Sequence, residues 1–203
     1  MVWKQPDRPI ILASQSPRRR DILSTMGFTF EVSRPGVDNE AEFFSRYPLA
    51  EALEALAAAK ADSVSSARRE ALVLGADTIV SIDGAILGKP RDRLEAELML
   101  QQLSGRIHTV HTSVALACSE CGFSARAIES TAVLFRQLSK WEIDDYLGLD
   151  KYRDKAGSYA IQGRAMTFVE RIEGCYFNVV GLPVRKTIDL FTAYANRKGE
   201  SNV

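Results

Sequence analysis

The stretch that decides the fold is Pro9-Ile10-Ile11-Leu12-Ala13-Ser14-Gln15-Ser16-Pro17-Arg18-Arg19-Arg20. Its apolar run, Ile10 to Ala13, is typical of a buried strand. Ser16 suits the N-cap of a helix, and Pro17 suits the first helical position, where its missing N–H leaves nothing unpaired. Apolar residues follow at 22, 23 and 26, the spacing of one helix face. The stretch therefore predicts a strand, a tight loop and a helix.

Such a junction turns free backbone N–H groups and the positive end of the helix dipole toward the loop. Three arginines in the first turn oppose that dipole, so they do not serve helix stability. An anion would relieve the conflict, and arginine binds phosphate through two parallel hydrogen bonds. The alternative is that the three arginines are solvated surface charges. The loop therefore favours a phosphate site.

Composition excludes several classes of protein. The chain has 203 residues, and its 26 Lys and Arg balance its 26 Asp and Glu, whereas a general nucleic-acid or membrane-surface binder usually has a basic excess. No apolar run approaches the roughly 18 residues of a membrane span, and the first residues lack the apolar region of a signal peptide. Three cysteines are too few for a disulfide framework and indicate a reducing cytoplasm. We expect a cytoplasmic protein that binds neither nucleic acid nor membrane.

The segment Val37 to Glu42 is acidic and leaves two interpretations open. It is a solvated loop that leads into a helix N-terminus, where the dipole favours acids. Otherwise Asp38 or Glu40 contributes a metal ligand or a base.

The next helix, predicted over 49–66, carries a lysine on its apolar face. Leu53, Leu56, Ala57 and Lys60 follow the i, i+3, i+4, i+7 spacing. Lys60 is therefore either snorkelling to solvent at the edge of the face or held there for an anion.

Residues 71–80 form the most informative predicted strand, because an apolar run of the kind buried on both faces contains one carboxylate, Asp77. An ionised Asp at such a position is costly unless a cation, a metal or several hydrogen bonds offset it. Gly75 and Ala76 leave space beside it for a close ligand. The strand continues through Val80, so Asp77 is not a helix cap, and we expect a functional carboxylate.

The middle of the chain contains two more cationic side chains, Lys89 and Arg91. Asp83-Gly84 between apolar runs predicts a hairpin, which leads into Gly88-Lys89-Pro90-Arg91-Asp92. Asp92 is expected to cap a helix over 93–103, with Leu94, Leu98 and Met99 as its core-facing stripe.

The second half predicts two long strands, over 107–118 and 125–135, and a helix capped by Ser139 with Glu142 at the capping-box position. Gly157 and Gly163 bracket a short extended piece that contains Gln162, an amide suited to reading a base edge. A hairpin is expected over 168–172 and 176–180, and a last helix over 184–194. The whole is an α/β protein with a mixed sheet flanked by helices.

Five motifs in this order resemble the Maf family, the septum-formation-inhibitor-like nucleoside triphosphate pyrophosphatases, across about residues 9–194. They are Leu12-Ala13-Ser14-Gln15-Ser16-Pro17-Arg18-Arg19, Gly75-Ala76-Asp77-Thr78, Gly88-Lys89-Pro90-Arg91-Asp92, Asp154-Lys155-Ala156-Gly157 and Asn178-Val179-Val180-Gly181-Leu182-Pro183. Two positions depart from the family pattern: Gln15 between the serines, and Lys151-Tyr152 where Glu-Pro is common.

The resemblance implies one domain over 1–203, with a core over 9–194 and tails over 1–8 and 196–203. It further implies an elongated mixed β-sheet flanked by helices, of the Maf/ITPase-like kind, with a cleft between two lobes. The implied activity is hydrolysis of a nucleotide between the α and β phosphates with a divalent metal, Mg²⁺ or Mn²⁺. Tyr159-Ala160-Ile161-Gln162-Gly163 is similar to the branch that acts on dTTP and UTP.

The resemblance also assigns roles. Asp77 would be the proton acceptor; Arg19, Thr78 and Gln162 would set substrate choice; Ser14, Arg18, Lys60, Lys89 and Lys155 would hold phosphates. Asp77 with Glu40, or with Asp38 in its place, would hold the metal, and a homodimer is a family-level expectation. Two rival functions are a non-catalytic nucleotide-sensing regulator of septum formation and a phosphatase that releases orthophosphate.

Overall fold

The structure is a computed structural model that describes residues 5–149 and 152–200, with side chains to residue 197. Lys151, one of the two departures from the family pattern, lies outside the described residues. The strands are β1 (Ile10–Ala13), β2 (Glu31–Ser33), β3 (Leu72–Ile82), β4 (Ala85–Leu87), β5 (Ile107–Cys118), β6 (Phe123–Phe135) and β7 (Val169–Glu173). The α-helices are α1 (Pro17–Thr25), α2 (Glu40–Arg46), α3 (Leu49–Ser65), α4 (Arg93–Leu103), α5 (Lys140–Leu147), α6 (Tyr176–Val180) and α7 (Val184–Glu200).

The strands form one mixed sheet in the order β2-β1-β3-β5-β6-β7, and β4 pairs with β3 at the side. β1 runs parallel to both β2 and β3, with Ala13 opposite Gly75. The β3–β4 and β6–β7 pairs are antiparallel. The predicted fold class, a mixed α/β sheet with helices, is confirmed. The expected elongated shape and the cleft between lobes stay predictions.

The chain divides into two compact units, and three strands contribute residues to both. The first unit holds residues up to Asp77, Thr112–Glu129 and everything from Gly181 onward. The second holds Thr78–His111 and Ser130–Val180. The expectation of a single domain stays a prediction. No helix among the described residues is long and apolar enough to cross a membrane.

The core of the first unit is built from small residues on α3 packed against β1 and β3. Ala57, Ala61 and Val64 of α3 are buried against Ile11 and Val73 of the two strands. Because alanine side chains are short, the axis of α3 lies close to the sheet. A longer side chain on α3 therefore reaches the neighbouring strand with its polar end.

Several local predictions are confirmed. Ser16 stands at the N-cap of α1 with Pro17 first in the helix, although the Ser16 hydroxyl makes no capping bond. The β3–β4 hairpin turns through Asp83 and Gly84, both with positive φ. Asp92 caps α4 by accepting from the Glu95 N–H, and Ser139 and Glu142 form the full capping box of α5.

Two expectations in the second unit are wrong. The predicted hairpin strand over 176–180 is the short helix α6, in which the buried Asn178 side chain donates to the Val110 carbonyl and to Oγ1 of Thr131. Its presumed partner, β7, pairs with β6 instead. Leu94 and Leu98 were expected in the core of α4 but are 66% and 57% exposed, since the buried face runs through Ala96, Met99, Leu100 and Leu103.

Two elements of the first unit differ in extent from their predictions. The alternation of residues 28–32 predicts a strand, but the observed strand is β2, and Phe28 lies before it, buried and stacked on Phe191 with ring centroids 4.8 Å apart. The last helix, expected to end at Tyr194, continues to Glu200, so part of the predicted tail is helical.

Candidate active site

The centre of the candidate site, in the first unit, is a buried lysine between two carboxylates. Nζ of Lys60 lies 2.6 Å from Oδ1 of Asp77 and 2.6 Å from Oε1 of Glu40. The side chains of Lys60 and Asp77 are only 8% and 13% exposed, while that of Glu40 is 41% exposed. A buried ion pair is tolerated when each charge has a close partner. Lys60 therefore does not snorkel to solvent; it offsets the charge of Asp77 in the middle of β3.

Gly75 is what brings these two side chains together. A Cβ at this position would lie 2.4 Å from the Ala57 carbonyl oxygen and 2.7 Å from the Ala61 amide nitrogen. Glycine thus lets the backbone of α3 touch that of β3. Asp77 shares the strand face of Gly75, and Lys60 lies one residue before Ala61, so the close approach sets Lys60 over Asp77. The space expected for a ligand at Gly75 is filled by a helix, and that prediction is wrong.

Arg19 fixes the loop between β1 and α1. Its Nη1 donates to the Ala76 carbonyl at 2.9 Å and to Oγ of Ser14 at 3.2 Å, and its Nε donates to the Gly181 carbonyl at 2.8 Å. Ser14 is buried and also accepts from the Ser16 N–H at 3.2 Å. Burial lowers the pKa of Arg19, an effect that the nearby Asp77 carboxylate opposes and Arg18 reinforces. Arg19 thus joins the loop after β1 to β3 and to the segment between α6 and α7, in addition to being a candidate site residue.

The other first-unit candidates are placed around this cluster. Arg18 lies half-buried in the first turn of α1, near enough to Arg19 to lower its pKa. Of the two acids that the sequence left open, Glu40 begins α2 and pairs with Lys60, while Asp38 is exposed in the preceding loop. The structure therefore joins Glu40, rather than Asp38, to the candidate cluster.

In the second unit, one backbone hydrogen bond joins the two predicted lysine loops. The Gly157 N–H donates to the Gly88 carbonyl at 3.1 Å, so the loop carrying Lys155 contacts the loop carrying Lys89. Lys89 is exposed, and Lys155 pairs with the neighbouring Asp154. Gly157 has φ +65°, and an added Cβ would lie 3.1 Å from Val80. Any other residue at this position would be strained and would crowd Val80, so glycine favours the contact.

The two remaining candidates also lie in the second unit. Thr78 is half-buried and follows Asp77 directly on β3, so the two side chains point to opposite faces of the strand. Gln162 is exposed, in an irregular segment between two short 3₁₀ turns, Ala156–Ser158 and Arg164–Phe168.

The carboxylates of the cluster match a hard divalent cation. Mg²⁺ and Mn²⁺ prefer oxygen ligands, and Mg²⁺ is commonly held by one or two carboxylates together with substrate phosphates. Asp77 and Glu40 supply two carboxylates that converge on one ammonium. Within residues 5–149 and 152–200, no group of three or more His, Cys, Asp or Glu side chains could hold a metal by itself. The donor set therefore fits a cation that substrate phosphates help to bind.

Sequence reasoning missed two features of this site. It did not foresee that Lys60 pairs with both Asp77 and Glu40, because the pairing depends on α3 lying against β3. It quoted Gly181 as part of a motif without a role, and the structure shows its carbonyl accepting from Arg19. Neither contact is indicated by neighbouring residues in the sequence. The available indication was Gly75, a glycine two residues before Asp77 in the middle of a strand.

The family model and the sequence relatives agree on one family. The family model described as Maf-like protein matches residues 9–194. The chain is 48% identical to a dTTP/UTP pyrophosphatase of Symbiobacterium thermophilum, covering 91% of this chain and 93% of that protein. It is 44% identical to a dTTP/UTP pyrophosphatase of Pelotomaculum thermopropionicum, covering 92% and 97%. Among solved structures, a HAM1 protein from Coxiella burnetii matches with a TM-score of 0.40 and 17% identity, covering 66% of this chain and 75% of that one.

Proposed function

The chain belongs to the Maf-like protein family, and from that premise we propose that it is a nucleoside triphosphate pyrophosphatase acting on dTTP and UTP. It is a hydrolase of acid anhydrides that converts the nucleotide to its monophosphate and pyrophosphate. The substrate class rests on the activity for which the two relatives are named. The observation that carries the chemistry is the buried Asp77 carboxylate, 2.6 Å from Lys60 and joined through it to Glu40.

In the proposed reaction, Asp77 orients a water molecule and accepts its proton while the water oxygen attacks the α-phosphorus. The bond from that phosphorus to the oxygen bridging the α and β phosphates breaks, and pyrophosphate leaves. Such a displacement needs positioning and charge stabilisation rather than a covalent intermediate. Asp77 suits the role because it is fixed in a strand and its carboxylate is held in place by Lys60.

Phosphate binding is assigned to five side chains. Lys60, Ser14 and Arg18 belong to the first unit, and Lys89 and Lys155 belong to the second. Their cations would neutralise a polyphosphate on a protein whose net charge is zero. A divalent cation held by Asp77 and Glu40 would supply further neutralisation of the phosphate oxygens. Lys155 would exchange its partner Asp154 for a phosphate.

Substrate choice is assigned to Arg19, Thr78 and Gln162. Gln162 is exposed and carries both a donor and an acceptor, which suits the edge of a pyrimidine. Arg19 acts at least partly by holding Ser14 and the first loop in place. A Gln162→Ala variant should lose discrimination between bases more than it loses rate on the preferred nucleotide. A uniform loss of rate on every nucleotide would contradict the role of Gln162.

The test is a nucleotide panel with product identification. Purified protein should release pyrophosphate and monophosphate in equal amounts from dTTP and UTP, with activity that disappears in a chelator and returns with Mg²⁺ or Mn²⁺. Release of orthophosphate would favour a phosphatase. Tight binding with no turnover would favour the nucleotide-sensing regulator of septum formation, against which the names of the relatives already weigh. Cytoplasmic location and a homodimer stay predictions.

A further inference from the structure

The segment that carries Gln162 has no regular secondary structure to hold it. Residues 159–163 belong to neither a helix nor a strand, so no ladder of backbone hydrogen bonds fixes them. Gln162 itself is exposed, whereas Tyr159 and Ile161 are buried to 5% and 6% exposure. The position of Gln162 therefore depends on how its buried neighbours are anchored.

Tyr159 is anchored by a buried histidine. The Tyr159 hydroxyl lies 2.8 Å from Nε2 of His108. His108 lies on β5 and is only 1% exposed. Phe135 of β6 closes the group: its ring centroid is 4.8 Å from that of Tyr159 and 4.8 Å from that of His108, both in edge-to-face geometry. All three residues lie in the second unit.

Both partners of this hydrogen bond are uncharged at neutral pH. Burial raises the pKa of Tyr159, so its hydroxyl keeps its proton, and burial lowers the pKa of His108 to about 4, so its ring is neutral at neutral pH. Among the described residues, Nε2 of His108 is the partner of the hydroxyl. The bond therefore joins two uncharged groups, and which of them donates depends on which ring nitrogen of His108 carries the proton.

The turn just before Tyr159 is held in the same rigid way. Gly157 and Ser158 both have positive φ, at +65° and +64°. The Ser158 hydroxyl, fully buried, lies 3.1 Å from the sulfur of Met99 on α4. The chain thus enters Tyr159 from a fixed point, and Gln162 lies three positions further along, at most about 11 Å of extended chain.

We propose that the Tyr159–His108 hydrogen bond positions Gln162 for reading the nucleotide base, which makes both residues specificity-determining through Gln162. This inference rests on the proposed function. Tyr159 and His108 are positioning residues here, since each acts through the irregular segment and neither is assigned a contact with the nucleotide. If the bond only stabilised the core, its loss would lower stability without changing the choice between bases.

The test is Tyr159→Phe, which deletes the hydroxyl and keeps the ring packed against Phe135. We expect the ratio of kcat/KM for UTP over CTP to fall about five- to tenfold, the usual weight of one hydrogen bond, mainly through a higher KM for UTP. The double variant with Gln162→Ala should discriminate no worse than Gln162→Ala alone, because one residue acts through the other.

Two further sets of variants keep the test decisive if Tyr159→Phe folds poorly. His108→Gln keeps an acceptor for the hydroxyl and should preserve the ratio better than His108→Leu. The matched control is Thr131→Val, which removes another buried hydroxyl of the second unit. That hydroxyl accepts from the Cys175 N–H at 3.1 Å and from the Asn178 amide at 2.8 Å. It should lower Tm and leave the ratio unchanged.

The outcomes separate this inference from the proposed function. If the wild-type protein hydrolyses UTP and Tyr159→Phe keeps the wild-type ratio, positioning is refuted and the function stands. Equal losses of the ratio in Tyr159→Phe and Thr131→Val would indicate general loosening and also refute it. If the wild-type protein hydrolyses no nucleotide, the proposed function fails and this inference fails with it.

Discussion

Replacing Lys60 with methionine tests the buried charge cluster directly. The substitution deletes the ammonium that lies 2.6 Å from both Asp77 and Glu40, and it keeps an apolar chain of similar length on the packed face of α3. Asp77, whose side chain is 13% exposed, then loses its ion-pair partner. Glu40 is 41% exposed and can turn its carboxylate to water.

The expected cost follows from these exposures. Removing one partner of a buried ion pair costs about 3–5 kcal/mol, because the remaining charge stays buried without compensation. The loss of the more exposed contact with Glu40 adds at most about 1 kcal/mol. Since small proteins are stable by only about 5–15 kcal/mol, Lys60→Met should remove about a fifth or more of the total.

Urea unfolding of a double-mutant cycle measures the effect. Lys60→Met should be strongly destabilised, and the double variant Lys60→Met with Asp77→Asn should recover at least about 2 kcal/mol, because the uncompensated charge is gone. The matched control is Lys140→Met: Lys140 also lies between two carboxylates, at 3.3 Å from Glu97 and 3.6 Å from Asp144, but is 75% exposed.

Lys140→Met should change the free energy of unfolding by less than about 1 kcal/mol. If Lys60→Met costs no more than this control, and the cycle shows no coupling with Asp77, the two side chains do not form a buried pair and the reasoning is wrong.

Three further predictions concern packing, pH and capping. Gly75→Ala should lower the free energy of unfolding by at least about 3 kcal/mol, because its Cβ would meet backbone atoms of α3. In the control Gly88→Ala, the Cβ meets nothing within 4 Å, and the cost should be less than about 1 kcal/mol. Equal costs in urea unfolding would contradict the close approach of α3 and β3. His108 stays neutral in the folded protein down to about pH 4, while the unfolded chain takes up its proton near pH 6.5, so about 3 kcal/mol of stability present above pH 6.5 should be lost between pH 6.5 and 4. A His108→Asn variant should lack this pH dependence, and an identical slope in both proteins would exclude His108 as its source. Ser139→Ala, which removes the acceptor of the Glu142 N–H, should lower the free energy of unfolding by about 1 kcal/mol, and no change would show that the capping box does not stabilise α5.

The elements that sequence predicts well are those encoded by neighbouring residues. The strand and helix around Ser16, the hairpin at Asp83-Gly84 and the caps at Asp92 and Ser139 all depend on residues within four positions of one another. Each signal is a local backbone preference, so the rest of the fold does not need to be known.

The predictions that failed concern contacts between distant residues. Residues 176–180 are rich in aromatic and β-branched residues and so favoured a strand, but the amide of Asn178 reaches Val110 and Thr131, 68 and 47 residues away, and the segment is helical. Periodicity on α4 identified an apolar face but could not show that Leu94 and Leu98 lie beyond the edge of the buried surface.

The candidate site shows the same division. The apolar strand around Asp77 indicated that this carboxylate has a partner. The helical spacing indicated that Lys60 lies on an apolar face, where a lysine is unusual. The pairing of Lys60 with Asp77 could not be predicted, because it depends on the contact between α3 and β3 at Gly75. In sequence, Gly75 lies 18 residues from Ala57 and 14 residues from Ala61.

The most direct test of the proposed catalysis is the rate of pyrophosphate release from UTP by wild-type protein and by Asp77→Asn, each shown by urea unfolding to be folded. If Asp77 takes the proton of the attacking water, the variant should be slower by roughly 10²–10⁴-fold, the usual contribution of a general base, at an unchanged product ratio. A folded Asp77→Asn protein that releases pyrophosphate within about threefold of the wild-type rate would contradict the role assigned to this carboxylate.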